Sequence, residues 1–469
     1  MMTLFNIRDF GAIGDGITLD TAAIQTAIDA CSAAGGGRVL IPAGATYLSG
    51  TFVMKSNVEF YVERGAVVEA SGSDEDFQVV RTDENHKGVG YPNLRESITF
   101  IAAYNCENIA FTGGGVIDGG GRKFIAESLP HIYRMHPARP FTAVIIGCTN
   151  ITLQDITVRD GAMWTLRFSG CEDILIQGVR LLNDLKLPNS DGIDIDQCRN
   201  VRIANCHIVA GDDCICMKSC ANAGDFGACE NITVTGCTLV STSTALMVGC
   251  EAFAPMRNII FDSCVIQASN RGLGIHHSHN SVIENVLFSN MIIETRLFHD
   301  AWWGRAEPIY VCAMPWTPDV QMGQVRHVRF SNILCKGENG VFVYGWEQDT
   351  LQDIVFENVR VELDKWTKIP AGRQDIRPFE GGDGMPQYPC SGFLLRNARG
   401  VVLRNCEVTW GQNRPDEYHH ALEAINVADL TLENFKGEAA HPHRHAAIWQ
   451  HGFDKPRAGS DIQVSIEKC

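Results

Sequence analysis

No run in the sequence approaches the roughly 18 consecutive apolar residues of a membrane-spanning helix. The opening residues, MMTLFNIRDFGAIGDG, lack the basic and apolar stretches of a secretory signal, so a cytoplasmic protein is expected. Positive charge is scarce: 39 Lys and Arg stand against 55 Asp and Glu, for a formal net charge of −16. That balance disfavours attraction to nucleic acid or to an anionic membrane, and a polyanionic ligand would need a local basic patch. Low-complexity linkers are missing too, and a single domain over residues 1–469 is the economical expectation. The 18 cysteines are scattered instead of forming a compact framework, which favours reduced thiols acting as small buried hydrophobes. With hydrophobic residues at 45% and charged residues at 20%, the composition is that of a folded globular chain.

What is present is a repeat. A unit of the form [N/D/H]-[I/V]-x-[F/L/I/V] recurs at Asn108, Asn150, Asp173, Asn200, Asn231, Asn258, Asn285, His327, Asp353 and Asp429, most often at intervals in the twenties. Short β-rich runs such as NITLQDITV and NVRIANCHIV at that period predict a solenoid whose coils feed several parallel sheets, with Asn stacking in ladders at one turn. A leucine-rich repeat would need recurrent Leu and a helical segment, and a propeller needs longer blades; neither pattern is present. The longer intervals mark inserted loops at 72–96, 119–143, 297–324 and 364–390, rich in charged, aromatic, Gly and Pro residues, which are expected to wall a cleft. Before the repeats, Asp20 is a candidate N-cap, Ala22, Ile24, Ala27 and Ile28 form a helical stripe, and Gly35 to Gly37 end the helix ahead of a strand at 38–41.

The stretch Asn189 to Ser219, NSDGIDIDQCRNVRIANCHIVAGDDCICMKS, holds Asp191, Asp212 and Asp213 at Gly-containing bends one repeat apart. In a parallel coil, residues one turn apart lie about 4.8 Å from each other. Three crowded carboxylates repel, so at least one is expected to keep a proton near neutrality. A proton donor beside a base is the equipment of glycoside hydrolysis. Past the second bend, Ile215 and Met217 share one strand face while Cys214, Cys216 and Lys218 share the other, which brings Lys218 out beside Asp212 to bind substrate or to balance the acidic cluster.

The runs NSDGID, NCHIVA and GDDCICMKS together resemble the polygalacturonases of glycoside hydrolase family 28, above all its exo-acting bacterial members, and weaker similarity extends over most of the chain. The resemblance implies an all-β fold, a right-handed parallel β-helix (solenoid) with an N-terminal capping helix over 1–50, coils and cleft-forming loops over 51–450, and a C-terminal end at 451–469. It implies an inverting glycosidase acting on α-linked sugars of pectin-derived oligosaccharides, with no cofactor and no metal. Asp212 matches the general acid, Asp191 and Asp213 match the pair that positions and deprotonates water, and Asn189 matches an orienting Asn. Inversion implies a carboxyl separation of roughly 6.5–9.5 Å.

Two family motifs are altered. Ser243-Thr244-Ala245 stands where the family has Gly-His-Gly, and RGLGIHH places Gly274 and His276 at the Arg and Lys positions of the Arg-Ile-Lys run that grips a galacturonate carboxylate. Arg167 occupies a position where the family commonly has His. Glycine supplies no guanidinium, so a substrate other than homogalacturonan, such as a rhamnogalacturonan fragment, is expected unless Arg271, Arg296 or Arg305 takes over. Trp302 and Trp303 are candidate sugar-stacking platforms or loop anchors, and Arg377 is a candidate polar contact. The histidines of HPHRH, 441–445, have no metal-ligand spacing within that run and read as surface residues. Two rivals differ in chemistry: a β-helical lyase needs a basic cluster, and a non-catalytic carbohydrate-binding solenoid has no use for three crowded carboxylates.

Overall fold

A computed structural model describes residues 3–79, 98–220, 224–452, 457–458 and 466–468. The loop expected at 72–96 therefore lies outside the described residues from 80 on, as does most of the C-terminal end 451–469. The chain forms two compact units, Met1–Cys237 and Thr238–Cys469. In both, the strands join in parallel register from coil to coil, which makes the fold an all-β parallel β-helix.

In the first unit three columns of strands run side by side. One climbs from Val58–Val62 through Glu107–Thr112, Thr149–Gln154, Glu172–Gln177 and Arg199–Ala204 to Cys229–Thr235. A second stacks Val67–Ala70, Val116–Asp118, Thr157–Arg159, Arg180–Leu182 and His207–Ala210. The third stacks Ile98–Tyr104, Phe141–Ile146, Leu166–Ser169, Ile193–Asp196 and Ile215–Ser219. Period-two alternation turns Ile151, Leu153, Ile174, Ile176, Val201 and Ile203 inward, and stacking puts each of them on its counterpart one coil away.

The turns explain the Asn-rich repeat. Asn57, Asn108 and Asn150 all have positive φ, and each side-chain amide donates to the Asn one coil before, at 2.7 Å in both steps. Asn tolerates the left-handed conformation because its short polar side chain bonds locally. Cysteines fill an inner turn position in the same manner: the Cys106 N–H donates to Cys148 Sγ, and the Cys171 N–H to Cys198 Sγ, each at 3.3 Å. All four are buried, as expected for small hydrophobes.

Near the start of this unit a helix runs over Thr21–Ala33 and sets Ala23, Ile24, Ala27, Ile28 and Cys31 against Leu4–Asn6, Gly37–Ile41, Phe52–Val53 and Val58–Val62. Ala23, not the anticipated Ala22, carries the first turn of the stripe. Asp20 occupies the N-cap position without capping through its side chain; its carboxylate accepts instead from Ile13 N–H at 2.6 Å and Gly14 N–H at 3.0 Å, closing the preceding loop. The anticipated 119–143 loop contains an antiparallel hairpin, Ile125–Ser128 with Tyr133–Met135.

The second unit has longer continuous strands, Val282–Thr295, Gln324–Gly337 and Leu351–Leu363, stacked in register. Phe261, Phe288, Phe330 and Phe356 pile face to face through its core, with ring centroids 4.7–5.0 Å apart. A neighbouring column comprises Thr244–Ala252, Arg271–His277, Ile309–Ala313, Val341–Gly345, Phe393–Arg404, Leu422–Ala428 and Ile448–His451.

Candidate active site

The acidic cluster of the first unit is built by register. Ile193 pairs with Ile215 and Asp194 with Cys216, so extending the pairing backward sets Asp191 beside Asp213. Backbone bonds fix the bends: Gly192 N–H donates to the Asp213 carbonyl at 2.8 Å, Ile193 N–H to the Cys214 carbonyl at 2.9 Å, and Thr165 N–H to the Asp191 carbonyl at 2.9 Å. Two glycines are required by space. A Cβ on Gly192 would lie 2.4 Å from the Cys214 carbonyl oxygen, and one on Gly211 would lie 2.1 Å from that of Leu187. Ser190 braces the bend by donating to the Leu187 carbonyl and accepting from Gly211 N–H. Asn183 ties in the neighbouring coil by donating to Thr165 Oγ1 and the Ser190 carbonyl, both at 2.8 Å.

The result is three buried carboxylates, Asp191, Asp212 and Asp213, each with an oxygen within 4.8 Å of the other two. That is closer than the 6.5–9.5 Å anticipated for a two-carboxylate inverting site. The cause is chain adjacency and the coil: Asp212 directly precedes Asp213, and Asp213 is one strand step from Asp191. Burial pushes the Asp191 carboxyl well above the usual carboxylate range, helped by the charges of Asp212, Asp194 and Asp213 and opposed by Lys218. The expected retention of a proton in the cluster thus falls at Asp191. Crowded acids share a proton, so it belongs to the group and not to one side chain.

Lys218, expected beside Asp212, has its Nζ 3.9 Å from Asp191 Oδ2 and 3.8 Å from Asp194 Oδ1, and 4.6 Å above the Trp164 ring. Asn189, at positive φ, presents its amide oxygen to Arg139 Nη2 at 3.0 Å. Arg167 is buried and bonded to Asp196 Oδ2 at 2.9 Å and Ser169 Oγ at 3.1 Å, with its guanidinium 5.0 Å from the Trp164 ring centre.

Sequence reasoning missed several members of this group. Arg139, from the 119–143 loop, donates to the carbonyls of Ala162 and Pro188 as well as to Asn189. Burial lowers it to about 10, while Asp191 and Asp212 pull it back up. Asp194 is a further fully buried acid, and the alternation in GIDID, with Ile193 and Ile195 turned to the core, was the signal for it. Trp164 had no signal beyond its neighbourhood in MWTLRF.

The other anticipated residues belong to the second unit. Arg271 is buried, 3.4 Å from Glu307 and 4.0 Å from Asp375, and stacks on Tyr310 at 3.5 Å. Arg305 is buried and donates to Asp300 and to the Pro370 carbonyl. Arg377 binds Asp375 at 2.7 Å and the carbonyls of Asp300 and Trp302, and covers the half-buried Trp303 at 4.8 Å. Trp302 is buried. Arg296 lies over Phe298 at 4.0 Å. His276 is buried, 3.3 Å from the Tyr310 hydroxyl, and burial together with Arg271 pushes it down to about 3, so it is neutral at pH 7. At the family's Arg position, a Cβ on Gly274 would lie 2.5 Å from Met247 Sδ, and Gly274 pairs with Met247 on one side and Tyr310 on the other.

The first unit is thus a parallel β-helix with three buried aspartates clustered from two consecutive coils. Residues 31–296 match the model of glycosyl hydrolases family 28, and the chain belongs to that family and is a glycoside hydrolase. A probable polygalacturonase of Vitis vinifera is 28% identical over 400 residues, covering 82% of this chain and 79% of that protein. Among solved structures, a family 28 exopolygalacturonase of Yersinia enterocolitica aligns over 93% of this chain and 78% of its own, with TM-score 0.68 and 20% identity. An exopolygalacturonase of Thermotoga maritima aligns over 77% and 87%, with TM-score 0.63 and 23% identity.

Proposed function

We propose that this enzyme removes single α-linked sugars from the ends of pectin-derived oligosaccharides with inversion at the anomeric carbon. Asp212 gives its proton to the leaving glycosidic oxygen as the C–O bond breaks. A water held by Asp191 and Asp213 bonds to the anomeric carbon from the opposite face and loses its proton to that pair. The observation carrying this reading is the convergence of three buried carboxylates within 4.8 Å of one another. Membership of family 28 and likeness to exopolygalacturonases support the substrate class and the exo mode.

The substrate's charge is read from what replaces the carboxylate grip. Gly274 is closed in by Met247, His276 is neutral, and Arg271, Arg305 and Arg377 are engaged with Glu307, Asp300 and Asp375. A charge-assisted bond to a carboxylate contributes about 1.5–3 kcal/mol, and plain galacturonate would bind without it unless Arg296, which lies over Phe298, supplied it. A rhamnose-containing pectic linkage fits better.

A retaining course, with Asp191 or Asp213 attacking the anomeric carbon, is the second reading, favoured by the short carboxylate separation. Proton NMR of the first-released anomer decides between them: an inverted anomer is expected, and a retained one replaces the mechanism. Incubation with homogalacturonan, rhamnogalacturonan and neutral oligosaccharides tests the substrate. Homogalacturonan oligomers cleaved at least as fast as every alternative would refute the proposed loss of carboxylate recognition. Viscosity of a pectic polymer should hardly change while single sugars accumulate; a rapid fall would mean endo cleavage.

A further inference from the structure

The second unit brings together three histidines that no single stretch of sequence connects. His419 and His420 end the loop preceding strand Leu422–Ala428, and His445 ends a turn one coil later, preceding strand Ile448–His451. Each offers a ring nitrogen within 4.8 Å of the other two. The His419 and His445 rings are stacked with centroids 3.9 Å apart, and the His420 ring stands at 72° to His445.

The arrangement is braced from behind. His420 Nδ1 lies 2.7 Å from the Ala446 carbonyl, to which it can only donate, so its Nε2 carries the lone pair. That is the support by which metal-ligating imidazoles are held in one tautomer. His441 Nε2 likewise meets the Pro415 carbonyl at 3.0 Å, and Arg444 pairs with Asp416 at 2.7 Å, so both contacts tie the turn 441–445 to the loop before it. His420 is buried while His419 and His445 are half-buried, leaving one side open to solvent.

We propose that His419, His420 and His445 form a binding site for a borderline divalent cation, zinc foremost, that clamps two successive coils together. Three imidazole nitrogens suit zinc, with water in the fourth tetrahedral position. Zinc–nitrogen bonds of about 2.0–2.1 Å require the rings to draw in by roughly 1 Å, which side-chain rotation supplies.

The test uses the full chain, stripped with chelator and titrated with zinc chloride in a calorimeter, with melting followed in parallel. One equivalent is expected to bind in the micromolar range or tighter and to raise Tm. His445→Ala and His420→Ala should each weaken binding at least tenfold, the scale on which supporting groups matter at metal sites. His443→Ala, an exposed neighbour, should not. Because Asp191, Asp212 and Asp213 are another possible cation cluster, Asp212→Asn must retain the zinc affinity. Should the His variants fail to fold, cobalt substitution of the wild-type chain reads the geometry directly, and intense tetrahedral visible bands are expected. No binding below about 1 mM, binding unchanged in His445→Ala, binding lost in Asp212→Asn, or a pale octahedral cobalt spectrum overturns the proposal.

Discussion

Lys218 Nζ stands 3.9 Å from Asp191 Oδ2, and the Asp191 carboxyl is nevertheless pushed up. Burial and the neighbouring acids outweigh that cation. In such a case the folded state binds the proton more tightly than the unfolded chain, so stability is greatest below the unfolded carboxyl pKa of about 3.9 and falls as pH rises through the folded value. Asp191→Asn removes that loss. The variant is expected to melt above wild type at pH 7, with the gain shrinking toward pH ~4, while turnover collapses; a variant melting below wild type at neutral pH would contradict it.

Asp212→Asn keeps the side-chain volume and removes the proton donor. General acid catalysis is typically worth about 10²- to 10⁴-fold, and kcat should fall on that scale with the melting curve retained. A residual rate above about a tenth of wild type on the natural substrate would reassign the acid.

Arg139 feels the charges of Asp191 and Asp212 and orients Asn189. Arg139→Ala should let the cluster keep its proton to higher pH, moving the alkaline limb of the kcat/KM profile upward. It should also lower kcat/KM, about 100-fold being the loss for a misplacement near 1 Å. Arg139→Lys is expected to keep the limb but not the full rate, since an ammonium cannot reproduce the fork to two carbonyls and an amide. An unshifted limb in the Ala variant would show that the guanidinium only anchors the loop.

Gly192→Ala puts a methyl 2.4 Å from the Cys214 carbonyl oxygen, in a backbone that has no flexible end to give way. The bend must shift, and with it Asp191 and Asp213. We expect kcat to drop more than KM changes, with far-ultraviolet circular dichroism preserved; unchanged kinetics would mean that the bend relaxes without moving the carboxylates.

At Gly274 the obstacle is softer, the Sδ of the buried Met247 at 2.5 Å. Gly274→Ala should cost about 1 kcal/mol, and Gly274→Arg about 3 kcal/mol, from overpacking, measured by urea unfolding. Restoring the family's arginine alone should not restore activity on homogalacturonan.

The repeat made the solenoid legible, because Asn150 and Ile151 mean the same thing at every coil. The carboxylate trio was legible for a related reason: one period of strand pattern separates Asp191 from Asp213. Parity past the bend put Lys218 on a strand face, but its neighbours Asp191 and Asp194 come from the stacking of the coils. Arg139 did not, because a loop residue is brought to the site by the path of a hairpin that carries no period. His445 was hidden similarly. HPHRH has no ligand spacing of its own, and the imidazoles nearest His445 stand one coil earlier, at His419 and His420. Trp302, Arg271 and Arg305 show what composition conceals: an exposed-looking loop of charge and aromatics can be an interior network, with Arg271 and Arg305 among the largest fully buried side chains.

The coil between Asp191 and Asp213 contains no insertion, and its strands keep register with the coils that flank it. The step between the two backbone positions is thus a lattice constant of the sheet, about 4.8 Å, and not a dimension any loop can tune. A single residue added between Asp194 and Gly211 would throw one acid out of phase with the other, whereas the hairpin at Ile125–Ser128 and Tyr133–Met135 can lengthen or shorten freely. The spacing of the two aspartates along the chain is therefore fixed by the coil, while the hairpin is not bound by that period.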